Sequence, residues 1–193
     1  MTKDFIRNYI LNSIEVKKKV FSDNIIIDKI YEISETIVKY VNRGSKVFFA
    51  GNGGSYSDAQ HVVAEFIGRF KLNREPIPAL LLGNNPSSLT AISNDISFSK
   101  IFVRELSSLS SKNDIFIALS TSGESQNIIE AVNFSNLNGL HTFALTGDFD
   151  STLSKLCNTI KVPSVETEKI QECHIMLLHI IAMIVEKKIF SNE

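Results

Sequence analysis

The sequence predicts an α/β fold: a three-layer sandwich with a five-stranded parallel sheet, preceded by an N-terminal helical hairpin. From residue 46 onward, short apolar runs alternate with segments of helical pattern. The runs are apolar throughout, which is typical of parallel strands covered by helices on both faces. The first 42 residues instead carry isoleucines at helical spacing and contain no strand-like run.

Isoleucines at spacings of three and four predict two helices within residues 4–42. The polar segment Ser-Asp-Asn at 22–24 predicts the break between them and the cap of the second helix. Gly-Ser at 44–45 ends the hairpin. Because no linker-like stretch follows, we expect one domain over residues 1–193, with the hairpin at 1–43 and the α/β core at 44–193.

The core elements follow in alternation. We predict strands at 47–50, 77–82, 114–119, 142–145 and 159–162, and helices at 55–70, 86–94, 99–109, 125–138, 151–156 and from 165 or 167 to about 190. Ligands of such folds bind at the carboxyl ends of the strands, near a topological switch point.

Composition narrows the classes of partner and compartment. The net charge of −1 gives no general support for a nucleic-acid or polybasic membrane partner. The two cysteines suggest neither a disulfide framework nor a metal site. The first residues do not read as a signal peptide, and no apolar run approaches the roughly 20 residues of a membrane span. We therefore expect a cytoplasmic protein that binds neither nucleic acid nor membrane.

Two turns after predicted strands have the chemistry of phosphate sites. The first, G-N-G-G-S at 51–55, allows close backbone approach, but it matches neither the dinucleotide fingerprint nor a Walker A loop. Many such turns only make a tight connection. The second, S-T-S-G-E-S at 120–125, packs four hydroxyls before a helix, whereas an ordinary N-cap needs one. The second turn is the better candidate for phosphate.

Two helices carry groups able to transfer protons or bind metal. His61 and Glu65 are four residues apart and therefore project from the same helical face, although many such pairs are only surface hydrogen bonds. His179 lies in an otherwise apolar segment of the last helix, 175–185. A lone histidine there is usually a satisfied core residue, but burial also shifts its pKa and marks functional candidates.

Together these motifs resemble the sugar isomerase (SIS) domain superfamily, which is flavodoxin-like in fold, and within it the phosphoheptose isomerases. The resemblance covers nearly the whole chain and rests on motifs that occur in the same order. They are G-N-G-G-S with His61 and Glu65, G-R-F at 68–70, S-N-D at 93–95, S-T-S-G-E-S at 120–125, L-T-G at 145–147 and I-Q-E-x-H at 170–174 with His179.

The resemblance implies conversion of sedoheptulose 7-phosphate to D-glycero-D-manno-heptose 7-phosphate through an enediol, the first step of nucleotide-activated heptose synthesis for bacterial surface glycans. It implies Glu65 and His179 as the acid/base pair. It implies zinc, one per subunit, held by His61, Glu65, Gln171 and His179. The substrate-binding residues that it implies are Asn52, Gly53, Gly54, Ser55, Glu65, Arg69, Asn94, Asp95, Ser120, Thr121, Ser122, Ser125, Glu168 and Gln171.

Helix geometry adds an expectation about assembly. Gln171 and His179 are eight residues apart, which is roughly 12 Å along one helix. Side chains of that size do not easily meet at one zinc ion. We therefore expect one of them to reach a given site from a neighbouring subunit, within a homo-oligomer, namely a homotetramer, that shares its active sites.

Two other functions fit the same motifs. Replication-initiator-associating SIS proteins share much of the pattern but bind a protein partner, and a sugar-phosphate sensor would use the same pocket without turnover. Neither needs an acid/base pair, and the presence of both Glu65 and His179 favours the enzyme.

Overall fold

The structure is a computed structural model, and it describes residues 2–191. The helices are α1 (Lys3–Ser22), α2 (Asn24–Val41), α3 (Gly54–Ile67), α4 (Pro86–Asp95), α5 (Ile101–Leu109), α6 (Gln126–Leu137), α7 (Thr152–Leu156) and α8 (Thr167–Phe190). The strands are β1 (Val47–Ala50), β2 (Ala79–Leu81), β3 (Ile115–Leu119), β4 (His141–Gly147) and β5 (Asn158–Val162). A 3-10 turn, Phe98–Lys100, leads into α5.

The five strands form one parallel sheet in the order β2-β1-β3-β4-β5, which confirms the predicted α/β fold. Successive side chains of a strand point to opposite faces of a sheet. Phe49 and Ile117 accordingly pack with α2, α3 and α8 on one face. Phe48 and Phe116 pack with α5, α6 and α7 on the other. Burial on both faces explains why the strands read as apolar throughout.

The helical hairpin is present, with Asp23 accepting hydrogen bonds from the first amides of α2. Helix α2 packs on α8, but α1 is buried only through Ser13, Val16 and Val20. Its first turns, residues 3–12, are exposed. No helix among residues 2–191 is both long enough and apolar enough to cross a membrane.

Two predicted elements are longer than the observed ones. Helix α3 ends at Ile67 rather than at residue 70, because the Arg74 guanidinium donates hydrogen bonds to its last carbonyls. Strand β2 begins at Ala79 rather than at residue 77, since Pro78 has no amide to donate to the ladder.

Candidate active site

The glycine turn (51–55) and the serine loop (120–125) lie side by side, because they follow the neighbouring strands β1 and β3. This pair is the topological switch point of the sheet, where ligands bind in folds of this strand order. Two hydrogen bonds join the turn to the helix behind the loop. Asn52 and Asn127 each donate from Nδ2 to the other's Oδ1, both at 2.9 Å.

The glycine turn packs closely against α8. Gly53 has a φ of +56°, which favours glycine. A Cβ on Gly54 would lie 2.5 Å from Nε2 of Gln171, so a side chain at this position would displace the end of the Gln171 side chain. The amides of residues 55–57 already donate to carbonyls within the turn. Among the described residues, the amides of residues 52–54 have no protein acceptor, so the turn offers a ligand a few free amides as well as close backbone approach.

The serine loop has hydrogen-bonding capacity to spare. Ser125 precedes α6 as its N-cap residue, but its hydroxyl makes no capping bond and lies 3.1 Å from the Ser120 hydroxyl. Ordinary capping therefore does not account for Ser125. Within the described chain, the backbone N–H groups of Thr121, Ser122, Ser125, Gln126 and Asn127 have no protein acceptor. Hydroxyls and free amides at a helix N-terminus suit a phosphate group.

The structure brings His61, Glu65 and His179 together within one protomer, although α3 and α8 are far apart in sequence. Nε2 of His61 lies 3.2 Å from Oε1 of Glu65 and 3.1 Å from Nε2 of His179. His61 is exposed, whereas Glu65 and His179 are half-buried. The surface pair and the apolar-helix histidine of the sequence thus form one cluster.

The surroundings of His179 favour its neutral form. Its ring lies between two others: His61 meets it edge-on at 5.0 Å, and Phe70 stacks on it at 5.5 Å with planes 17° apart. Burial, followed by the neighbouring His61, lowers the pKa of His179; Lys71 acts in the same direction and Glu65 opposes them. A neutral imidazole near pH 7 can accept a proton or bind a metal.

The donor set of the cluster fits zinc. Two imidazole nitrogens and a carboxylate oxygen lie within 4.8 Å of one another. A tetrahedral zinc with ligands at 2.0–2.1 Å separates neighbouring donor atoms by roughly 3.3 Å. The separations of 3.1 and 3.2 Å are close to that value. The residues present therefore fit a zinc ion with three protein donors.

Other predicted site residues lie apart from this cluster. Gln171 contacts Gly54, at the opposite end of α3 from Glu65. Glu168, at the start of α8, accepts a hydrogen bond from the Tyr9 hydroxyl at 3.2 Å. Arg69 is exposed in the loop that follows α3. Asn94 and Asp95 are exposed at the end of α4, and Asn94 donates to Asp95 at 2.7 Å.

Sequence reasoning missed several residues that support the site. Asn127 fixes the glycine turn, yet nothing in its sequence context marks it. One carboxylate oxygen of Asp58, a turn before His61, is buried without a hydrogen-bond partner among residues 2–191. Burial raises the pKa of Asp58 to about 6, against the opposing effect of His61. Arg74 and Glu186 form a buried pair behind Glu65, and only the structure shows that they meet.

Comparison with known proteins agrees with this architecture. The sequence pattern of the SIS domain family matches residues 8–147. The phosphoheptose isomerase of Aneurinibacillus thermoaerophilus is 40% identical over 191 residues, covering 98% of this chain and 96% of that protein. The phosphoheptose isomerase of Sulfurimonas denitrificans is 41% identical over 191 residues, covering 98% of each.

Solved structures give the same result. A phosphoheptose isomerase from Francisella tularensis superposes with a TM-score of 0.92 at 31% identity, covering 97% of this chain and 100% of that one. The enzyme from Neisseria gonorrhoeae gives a TM-score of 0.89 at 30% identity, covering 96% and 98%. The fold, the motif order and these relatives together show that the chain belongs to the SIS-domain superfamily and, within it, to the phosphoheptose isomerase family.

Proposed function

We propose that the protein converts sedoheptulose 7-phosphate to D-glycero-D-manno-heptose 7-phosphate in the cytoplasm, as the first step of nucleotide-activated heptose synthesis for surface glycans. The observation that carries this proposal is the cluster of His61, Glu65 and His179. A sensor or a protein-binding relative has no use for a carboxylate and imidazoles held in contact. An aldose–ketose isomerase needs them, because a proton must leave one carbon and return to its neighbour.

The proposed division of labour follows the chemistry of each element. The hydroxyls and free amides of the serine loop bind the phosphate, and the glycine turn lets the sugar chain approach the backbone. Asn94, Asp95, Glu168, Gln171 and Arg69 contact the sugar or line its pocket. Glu65 and the neutral His179 share the two proton transfers, one serving carbon and the other the sugar oxygens.

We propose zinc binding as a second role for the same cluster, ranked below the acid/base role because a carboxylate or imidazole bound to a metal is a poorer free base. His61, Glu65 and His179 would hold the zinc ion, with Gln171 of a neighbouring subunit as a further ligand. When bound, zinc would polarise the substrate carbonyl and favour loss of the adjacent proton. Elemental analysis of the purified protein before and after dialysis against a chelator tests this, and we expect about one zinc per chain. Full activity of the metal-free protein would contradict a catalytic role for zinc.

We further propose that the active site is shared between subunits of a homotetramer. His61 is seven residues beyond Gly54, or roughly 10 Å along α3, so each cluster lies well away from its own glycine turn. Partly exposed apolar side chains, Met176, Ile180 and Met183, surround His179 on α8. Such a surface around a polar group is typical of a subunit contact. A neighbouring subunit would bring its own serine loop to this surface.

The activity is tested with purified protein, sedoheptulose 7-phosphate and detection of the aldose product. Glu65→Gln and His179→Gln should each lower kcat by about 10²-fold or more while substrate still binds, since each removes one proton-transfer group. His141→Gln is the matched control, because His141 lies at the opposite, amino-terminal end of the strands. Full activity of either site variant would refute the assigned roles.

Shared sites are tested by mixing two inactive variants. We would co-refold His179→Gln with Ser120→Ala/Ser125→Ala and assay the mixed oligomer. If loop and histidine come from different subunits, some sites in the mixture are intact, and activity recovers to roughly a quarter of the wild-type value by random assortment. No recovery in oligomers shown to be mixed would refute the sharing.

A further inference from the structure

Arg74 and Glu186 form an ion pair buried behind the cluster. Arg74 Nε lies 3.0 Å from Glu186 Oε1, and the two side chains are only 2% and 1% exposed. Burying two charges is costly unless geometry is good and the remaining donors and acceptors are satisfied. Here they are satisfied by the backbone of two segments that border the active site.

The guanidinium of Arg74 holds the end of α3. It donates to the carbonyl of Glu65 at 2.7 Å and to that of Phe66 at 2.7 Å. It also reaches the carbonyls of Gly68 at 3.3 Å and Glu75 at 3.0 Å. The last carbonyls of a helix lack partners within the helix, so this one side chain supplies them. The backbone of Glu65 is therefore fixed by Arg74.

The carboxylate of Glu186 holds the loop that follows. It accepts from the amides of Phe70 at 3.0 Å, Lys71 at 2.8 Å and Leu72 at 3.1 Å. Burial alone would raise the pKa of Glu186, but these three hydrogen bonds and the one from Arg74 outweigh it and lower the pKa. Glu186 is thus an anion at neutral pH, bound by three backbone amides.

The two backbone segments that Arg74 and Glu186 bind lie on either side of His179. Glu186 follows His179 by seven residues, which places both on the same face of α8, two turns apart. The loop that Glu186 binds carries Phe70, whose ring stacks on the imidazole of His179. On the other side, the helix that Arg74 binds carries Glu65 and His61. One ion pair thus connects both walls that enclose the His179 ring.

We propose that Arg74 and Glu186 are positioning residues of the isomerase: they fix the His179 ring against Glu65 through the end of α3 and through Phe70. The inference rests on the proposed function for its kinetic consequence but not for its structural one. It assigns Phe70 the task of setting the plane of the imidazole. It also accounts for a buried ion pair whose hydrogen bonds go only to backbone groups and to each other.

The kinetic test uses three variants. Phe70→Leu removes the stacking ring without touching the buried charges, Glu186→Gln weakens the loop anchor, and Arg74→Lys keeps the charge but cannot reach all the carbonyls. We expect kcat to fall about 10- to 100-fold in each, as misplacement of a reacting group by about 1 Å does, with KM within about twofold. Lys188→Gln is the control. Lys188 lies on α8 like Glu186, but its ion pair is with Glu35 on α2, so both constants should stay unchanged.

A second readout does not depend on activity. The chain has four histidines, so ring signals in a ¹³C-histidine NMR spectrum can be assigned with His179→Gln, His141→Gln and His174→Gln. We expect the His179 signal to shift or broaden in all three variants, while the His141 and His174 signals stay in place. An unchanged His179 signal in folded Phe70→Leu and Glu186→Gln would overturn the proposal.

The two readouts separate the possible failures. If the wild type does not turn over the heptose phosphate but its His179 signal responds to the variants, the proposed function fails and the positioning stands. If the wild type is active and Phe70→Leu retains its full kcat, the positioning fails and the function stands. A parallel fall of activity and folded fraction, measured by circular dichroism, with the His179 signal unchanged in the folded molecules, would reduce the pair to a stabilising role and refute the inference.

Discussion

His174 makes stability depend on pH in a way that can be isolated. Its side chain is fully buried in α8, its Nε2–H donates to the carbonyl of Thr146 at 3.3 Å, and its Nδ1 has no partner among the described residues. Burial lowers its pKa from 6.5 to about 4, against the opposing effect of the hydrogen bond that it donates to the Thr146 carbonyl. The folded protein therefore keeps His174 neutral where the unfolded chain protonates it.

The sign and size follow from linkage. A lowered histidine pKa leaves the folded state unaffected above pH 6.5 and penalises it as the pH falls from there toward 4. At about 1.4 kcal/mol per pKa unit, the full penalty is roughly 3 kcal/mol, of which about 2 kcal/mol is present at pH 5. The substitution His174→Gln keeps a donor for Thr146 but removes the titration.

The assay is urea unfolding at pH 7 and pH 5, at one protein concentration, for the wild type and His174→Gln. We expect the wild type to lose about 2 kcal/mol more than the variant over this interval. Comparing the two proteins cancels other titrating groups, including Asp58, whose raised pKa acts in the opposite direction. Equal losses in both proteins would refute a buried neutral His174.

Three further predictions concern residues around the site. Asn127→Ala should lower the free energy of unfolding by about 1–3 kcal/mol, because it leaves the Asn52 amide without its partner; an unchanged urea midpoint would contradict this. Gly123→Ala should cost about 2 kcal/mol or more and raise KM, since Gly123 has a φ of +70° and an added Cβ would collide with Ser151; a wild-type KM would speak against its role in shaping the serine loop. Asp58→Asn should stabilise the protein by up to about 3 kcal/mol at pH 8 and by little at pH 4, because the carboxyl is charged in the folded state only above about pH 6; the same gain at both pH values would exclude a charge effect.

The elements of the core were predictable because their physics is local. Continuous apolar runs mark strands that are buried on both faces, and the glycine and serine turns mark where those strands end. The error at the end of α3 arose because groups outside the helix decide that boundary. The sequence 68–70 is compatible with helix, and α3 ends at Ile67 because Arg74 and Glu186 bind the following backbone.

The site was predictable only in parts. The hydroxyls of the serine loop and the pair His61–Glu65 each lie within one short segment, so their spacing reveals them. That His179 joins His61 depends on how α3 packs on α8, which no local pattern specifies. In the sequence, Asn127 and Asp58 look like any polar residues of a helix. Their roles come from a partner 75 positions away and from burial, respectively.

The exposed first turns of α1 have a consequence for the spectroscopy of assembly. Residues 3–12 present Phe5, Ile6, Tyr9 and Ile10 to solvent. A helix of about ten residues is marginal in water unless its apolar side packs against something. If the proposed homotetramer covers this apolar side, dilution to single protomers should let these turns fray, so the far-ultraviolet signal would decrease before the core unfolds. The helical signal of residues 3–12, followed against protein concentration, would then report the association constant.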